Sequence, residues 1–126
     1  MKTISIKQPW VSLIMSGDKK YEFRTWKTNY RGPLYIHASK AYKKELVNNF
    51  DNINLQLGEI VGEVILEDII ELNEDNIEAI YNENPKVYKG IKTDYKYAWV
   101  LKEPKRITPI KVNGKLGLWE YEKIDE

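Results

Sequence analysis

The sequence predicts an α+β fold, a small, partly closed mixed β-barrel of about six strands with two or three helices packed over it. Three observations lead there. Short runs such as "YEFR" and "LYIHA" alternate apolar and polar residues with the period of a half-buried strand. Glycine and proline punctuate the segments between them, as at helix ends and tight turns. The strands follow one another with helices interposed, rather than in regular strand-helix-strand units. At 126 residues and 42% hydrophobic composition, the chain has the size of one ordinary domain, taken as residues 1–126.

"TISI" opens as a short strand. In "QPWVSLIMSG", Pro9 suits the first helical position, Trp10, Leu13 and Ile14 share a helical face, and Gly17 suits the left-handed residue after the last turn. "KKYEFRTW" places Tyr21 and Phe23 on one strand face and Glu22 and Arg24 on the other. "NYRGP" supplies turn chemistry, and "LYIHA" sets Leu34, Ile36 and Ala38 against Tyr35 and His37. "SKAYKKELVNNF" predicts a helix capped by Ser39, with Ala41, Leu46, Val47 and Phe50 as its apolar contacts. "GEIVGEVILEDIIEL" is a long β-rich run with a bulge at Gly62, and "NEDNIEAIYNENP" is a third helix stopped by Pro85. "YKYAWVLKEP", "KRITPIKV" and "KLGLWEY" read as the closing strands.

The net charge of +1 conceals a polarised chain. Residues 1–44 hold ten Lys or Arg against Asp18 and Glu22, a balance of +8, and the remainder carries −7. Nine acidic residues and no basic one lie from Glu59 to Glu83. Such asymmetry signals a basic face for an anionic partner, unless strand pairing interleaves the two halves. The acidic stretch raises another reading, a protein-interaction module for a basic partner. With no cysteine and one histidine, disulfide frameworks and thiolate or imidazole-rich metal sites are excluded, and no metal or cofactor is expected. The start "MKTISIKQPW" has no apolar signal-like stretch, and no segment reaches the ~20 apolar residues of a membrane span. A cytoplasmic protein without membrane contact is the expectation.

The segments "SIKQPW", "SG.K..E.R.W", "YRGPL.IHASK", "YAWVL" and "GLWEY", taken in order over nearly the whole chain, resemble the ASCH domain, a branch of the PUA-like barrel superfamily. The most specific element is G-x-K-x-x-E-x-R, present as Gly17, Lys19, Glu22 and Arg24. The resemblance implies a PUA-like barrel with a cleft beside the first helix, and a role in binding RNA or nucleotides. Some relatives are nucleases or amidohydrolases of modified nucleosides such as N4-acetylcytidine. In those amidohydrolases the lysine matching Lys19 assists a nucleophilic threonine three residues later. Here that place holds Glu22, which cannot form the acyl intermediate but has the chemistry of a general base toward water.

The residues themselves leave two readings open. Glu22 and Arg24, two apart on a strand, form a local ion pair, or Arg24 presents its planar donors to a phosphate or base edge with Glu22 bracing it. Gly17 serves first as a helix cap, and thereby positions Lys19. Trp10, Trp99 and Trp119 read as core, whereas Trp26 shares strand parity with Glu22 and Arg24 and is the candidate for stacking on a base. His37 is a candidate phosphate donor or proton carrier. Ser39 and Lys40, at an expected helix start, suit an anion. The ligand set is therefore Lys19, Glu22, Arg24, Trp26, His37, Ser39 and Lys40, with RNA, a nucleotide or a modified nucleoside as partner. Were the protein a hydrolase, Lys19 with Glu22 or His37 would carry the chemistry.

Overall fold

The computed structural model describes residues 1–122. The elements run β1 (Lys2–Ile6), α1 (Trp10–Ser16), β2 (Tyr21–Arg24), β3 (Gly32–Ala38), α2 (Lys44–Asn48), β4 (Glu59–Glu71), α3 (Glu74–Glu83), a single 3-10 turn (Thr93–Tyr95), β5 (Tyr97–Lys111) and β6 (Leu118–Glu120). The six strands form one curled half-barrel in the order β2, β5, β4, β3, β1, β6. Strand β1 runs parallel to β3, and every other neighbouring pair is antiparallel. The first and last of these strands are therefore neighbours, β1 lying between β3 and β6.

Strands β4 and β5 form its spine, paired from Glu59 opposite Lys111 to Glu71 opposite Tyr97. The sequence suggests two strands broken near Pro104; the structure has one. The register slips where Glu63 pairs Lys105 and Ile65 pairs Lys102, which leaves Glu103, at φ 51°, and Pro104 in a bulge. A bulge accommodates a proline that has no N–H for the ladder. The expected irregularity at Gly62 is also present, as register shifts on both flanks of β4 near Ile60 and Gly62.

Helix α1 packs on this sheet. Val11, Ile14 and Met15 join Ile4, Ile36, Val64 and Trp99 in the main core, each fully buried aliphatic side chain contributing ~1.5–3 kcal/mol. Gly62 permits the close approach, because a Cβ there would stand 2.3 Å from Met15 Cε and 2.6 Å from the Lys105 carbonyl oxygen. A second cluster holds Leu13, Ile80, Tyr88 and Ala98.

The helix ends differ in detail from expectation. Pro9 occupies the N-cap of α1 rather than its first turn. Gln8 does the capping, its Oε1 accepting from Ser12 N at 3.1 Å and Ser12 Oγ at 2.8 Å. Gly17 adopts φ 87° and donates to the Ile14 carbonyl, as expected of a left-handed cap. Helix α2 is confined to Lys44–Asn48 with Lys43 as its N-cap, so Ser39 caps nothing: its backbone N–H bonds the Ile6 carbonyl at 2.9 Å, prolonging the β1–β3 pairing. In α3, Asn73 and Asn76 form a reciprocal capping box.

The acidic run is divided by the fold. Its β4 half faces bases: Glu63 is opposite Lys105 and Glu59 opposite Lys111, while Glu67 reaches Lys102 at 3.9 Å and Asp68 reaches Arg31 at 3.7 Å. The acids of α3 make no ion pair among the described residues. Among those residues, no helix is long and apolar enough to cross a membrane.

Candidate functional site

The left-handed turn at Gly17 folds the chain back on the end of α1, where Lys19 N donates to the Leu13 carbonyl at 2.9 Å. That bond fixes the Lys19 backbone before β2 begins, and the side chain is driven inward, leaving it 4% exposed. Its ammonium donates to the Tyr21 carbonyl, stands 3.6 Å from Glu22 Oε1, and is surrounded by the rings of Phe23, Tyr88 and Trp10 at 4.4, 5.4 and 5.5 Å from their centroids. Aromatic faces stabilise a desolvated cation. Burial nevertheless pushes the ammonium down to about 8, against the opposing pull of Glu22.

Glu22 and Arg24 share a face of β2, as their spacing requires. Arg24 Nη2 donates to Glu22 Oε2 at 3.0 Å and to the Ser5 carbonyl at 2.9 Å. One carboxylate thus sits between two cations, and the triad keeps a net positive charge while Lys19 is protonated. Arg24 Nε is buried and has no hydrogen-bond partner among the described residues. The three side chains border one cavity of about 440 Å³ beside α1. The described residues lining it include five bases, Lys7, Lys19, Arg24, Lys89 and Lys115, and one acid, Glu22. Trp10, Phe23, Tyr88 and Tyr95 supply aromatic surface.

The remaining residues singled out from the sequence are distributed elsewhere. Ser39 lines this cavity and also an adjoining one, in which His37 and Lys40 lie. His37 is 2% exposed, and both ring nitrogens are committed. The Val112 carbonyl, 2.7 Å from Nε2, can only accept, so Nε2 carries the proton and Nδ1 accepts from Ser5 Oγ at 3.0 Å. Trp119 Nε1 in turn donates to Ser5 Oγ at 3.2 Å. Burial holds the imidazole below its ordinary value. His37 therefore ties β1, β3 and the segment after β5 together, and its ring has no free nitrogen for the proton-carrier role expected of it. With the helix start moved to Lys44, Ser39 and Lys40 lack the free N–H groups of a helix N-terminus.

Trp26 lies beyond the end of β2, so strand parity does not govern it. It packs against the main core, edge-on to Trp99 with centroids 4.9 Å apart, and lines neither cavity. The rest of the lining was not anticipated. It comes from Val87, Tyr88, Lys89, Gly90 and Ile91, together with Lys115, Leu116 and Gly117. The only sequence cue is the glycine in "KVYKGI", which here adopts φ 84°.

A curled six-stranded sheet with a helix-flanked basic cavity defines a class of small α+β domain. Residues 4–111 match the ASCH domain, and the chain belongs to that family. Two curated relatives, Activating signal cointegrator 1 of Homo sapiens and of Mus musculus, are each 47% identical over 36 residues, 29% of this chain and 6% of theirs. The match thus spans a small fraction of those longer proteins. A crystal structure of ASCH from Zymomonas mobilis shares the fold at 16% identity and TM-score 0.64, over 97% of this chain and 87% of that one. A mutant of it superposes at TM-score 0.63 and 17% identity, over 97% and 88%.

Proposed function

We propose that this chain binds RNA or a nucleotide in the cavity beside α1, with Lys19 and Arg24 as its inner cations and Glu22 as the brace between them. The observation that supports this best is the convergence of Lys19, Glu22 and Arg24 on one cavity of about 440 Å³. Among the described lining residues, five bases against one already paired acid favour an anionic occupant, and arginine suits a phosphate or base edge because its donors are planar and paired. The aromatic wall gives a base a stacking surface worth ~1–3 kcal/mol. The cavity lies within the ~300–1,000 Å³ of small-molecule sites.

The test compares pocket with patch. Arg24→Ala is expected to weaken binding of labelled single-stranded RNA by about tenfold or more, since a hydrogen bond to a charged group contributes ~1.5–3 kcal/mol. Lys43→Ala and Lys44→Ala, at the start of α2, change charge equally at a distance and are expected to cost far less. Affinity should also fall with salt, with a log-log slope of about −0.7 per phosphate contact. Equal losses in all variants would leave only a diffuse basic surface, and a salt-independent affinity would remove the basic face altogether.

A second reading, a hydrolase of RNA or of a modified nucleoside, draws on the Lys19 ammonium held near 8 beside Glu22, where proton transfer near neutral pH is accessible. Against it, Glu22 is already engaged by two cations and position 22 offers no hydroxyl nucleophile.

A further inference from the structure

A second cavity of about 430 Å³ adjoins the first and shares with it Ser5, Ser39, Lys115 and Leu116. Lys115 and Leu116 belong to the segment joining β5 to β6. Its first half is fastened down: Val112 accepts from His37 at 2.7 Å and Asn113 Oδ1 accepts from Lys40 Nζ at 3.2 Å. Gly114 lies so close to the sheet that a Cβ there would be 2.6 Å from Ser5 Oγ and 2.8 Å from His37 Cε1. Its second half stands clear. Leu116 is 99% exposed, and it and Lys115 border both cavities. Lone exposed leucines are ordinary on protein surfaces, but this one borders two spaces of nearly equal size. Among the described residues, the second cavity carries Lys40 and Lys115 and no acidic residue.

We propose that the two cavities are successive subsites for one dinucleotide step of single-stranded RNA, with a base in each, Leu116 inserted between the bases and Lys115 on the phosphodiester that joins them. This rests on the nucleotide-binding reading of the first cavity and extends it. A polynucleotide alternates flat bases with single negative charges, and the molecule offers the complementary set: two cavities that share an apolar side chain and a cation. Apolar side chains are used elsewhere as wedges that part adjacent bases. A paired duplex cannot deliver two neighbouring bases into separate recesses, so the site selects single strands.

The experiment titrates the native chain and its variants with ribonucleoside 5′-monophosphates and with the corresponding dinucleotides, and reads the ratio of the two affinities. The native chain is expected to bind its best dinucleotide about tenfold more tightly than the mononucleotide, as one added charge-assisted contact implies. Leu116→Ser and Lys115→Ala are expected to bring that ratio close to one, and thermal melting confirms folding, since neither side chain is in the core. Arg24→Ala should weaken both ligands and preserve the ratio. Mononucleotide binding with no dinucleotide advantage, or an advantage indifferent to the Leu116 and Lys115 substitutions, overturns the two-subsite proposal while leaving the nucleotide reading standing. Failure of every nucleotide to bind overturns both. Duplex RNA binding as tightly as a single strand also overturns the proposal.

Discussion

The ammonium of Lys19 stands 3.6 Å from Glu22 Oε1, with both side chains withdrawn from solvent. Arg24 holds the other oxygen of the same carboxylate at 3.0 Å. A charge so placed makes stability, affinity and pH interdependent, which gives the site consequences that can be measured without knowing its ligand.

Lys19 titrates near 8 in the native state and near 10.4 once unfolded. Between those values the unfolded chain binds more protons, so stability rises with pH across that window, by on the order of 3 kcal/mol in all, and is insensitive to Lys19 below it. Burial raises Tyr21 to about 12 and also raises Tyr88, which acts oppositely above about pH 10. Urea denaturation between about pH 7.5 and 9.5 should show the rise in the native chain and its loss in Lys19→Met. Identical pH curves for the two would place the lysine in water.

Glu22→Gln keeps the shape of the side chain and removes the charge that separates two cations. Breaking a buried ion pair on one side costs ~3 kcal/mol or more, and the double substitution Glu22→Gln with Lys19→Met should recover much of that loss. Denaturation midpoints of the single and double variants decide this. A single variant within ~0.5 kcal/mol of the native chain would mean the triad is solvated.

Gly62→Ala should destabilise by ~1–3 kcal/mol, the usual cost of forcing an atom into a filled core. The added methyl meets the Lys105 carbonyl as well as Met15. Shortening Met15 therefore cannot rescue the variant fully. Complete recovery in Gly62→Ala with Met15→Ala would show the backbone of β5 to be yielding.

His37 is neutral in the fold and held below its ordinary value by burial. Its unfolded form takes up a proton near pH 6.5, so stability is fully present above that pH and declines as pH falls through it. His37→Phe, which cannot titrate, should give a flatter profile between about pH 5 and 7, although a lower plateau, because Ser5 and Val112 lose their partner. A profile as steep as the native one would assign the acid sensitivity elsewhere.

Incubation with N4-acetylcytidine should release no appreciable acetate, because a carboxylate at position 22 cannot form the acyl intermediate of a hydroxyl nucleophile. Multiple turnovers, abolished by Glu22→Gln with folding intact, would replace the binding reading with general-base hydrolysis.

Local periodicity and local caps were legible in the sequence. The alternation in β2 and β3 put Glu22 beside Arg24, Gly17 ended α1 and aimed the chain at Lys19, and Pro85 marked the end of α3. Each depends on neighbours within a few residues, where period and φ preference act directly. The order of the motif segments carried the family as well.

Other features are decided by residues distant along the chain. Ser39 looks like a helix cap until its amide is taken by Ile6. His37 looks like a proton carrier until Val112, 75 residues away, occupies one nitrogen and Ser5 the other. Strand β5 looks like two strands until the full length of β4 lies beside it. Lys19 is a site candidate from its motif, but its burial follows only from Tyr88 closing over it, and the rest of the cavity lining belongs to segments with no periodic signature. By itself the sequence determined the family, the elements with strong local signals and the three charged residues of the motif. Only the tertiary structure decided which polar groups were satisfied, which cation was buried and where the cavities lay, because hydrogen-bond satisfaction and desolvation are settled by whatever the folded chain brings within a few ångströms.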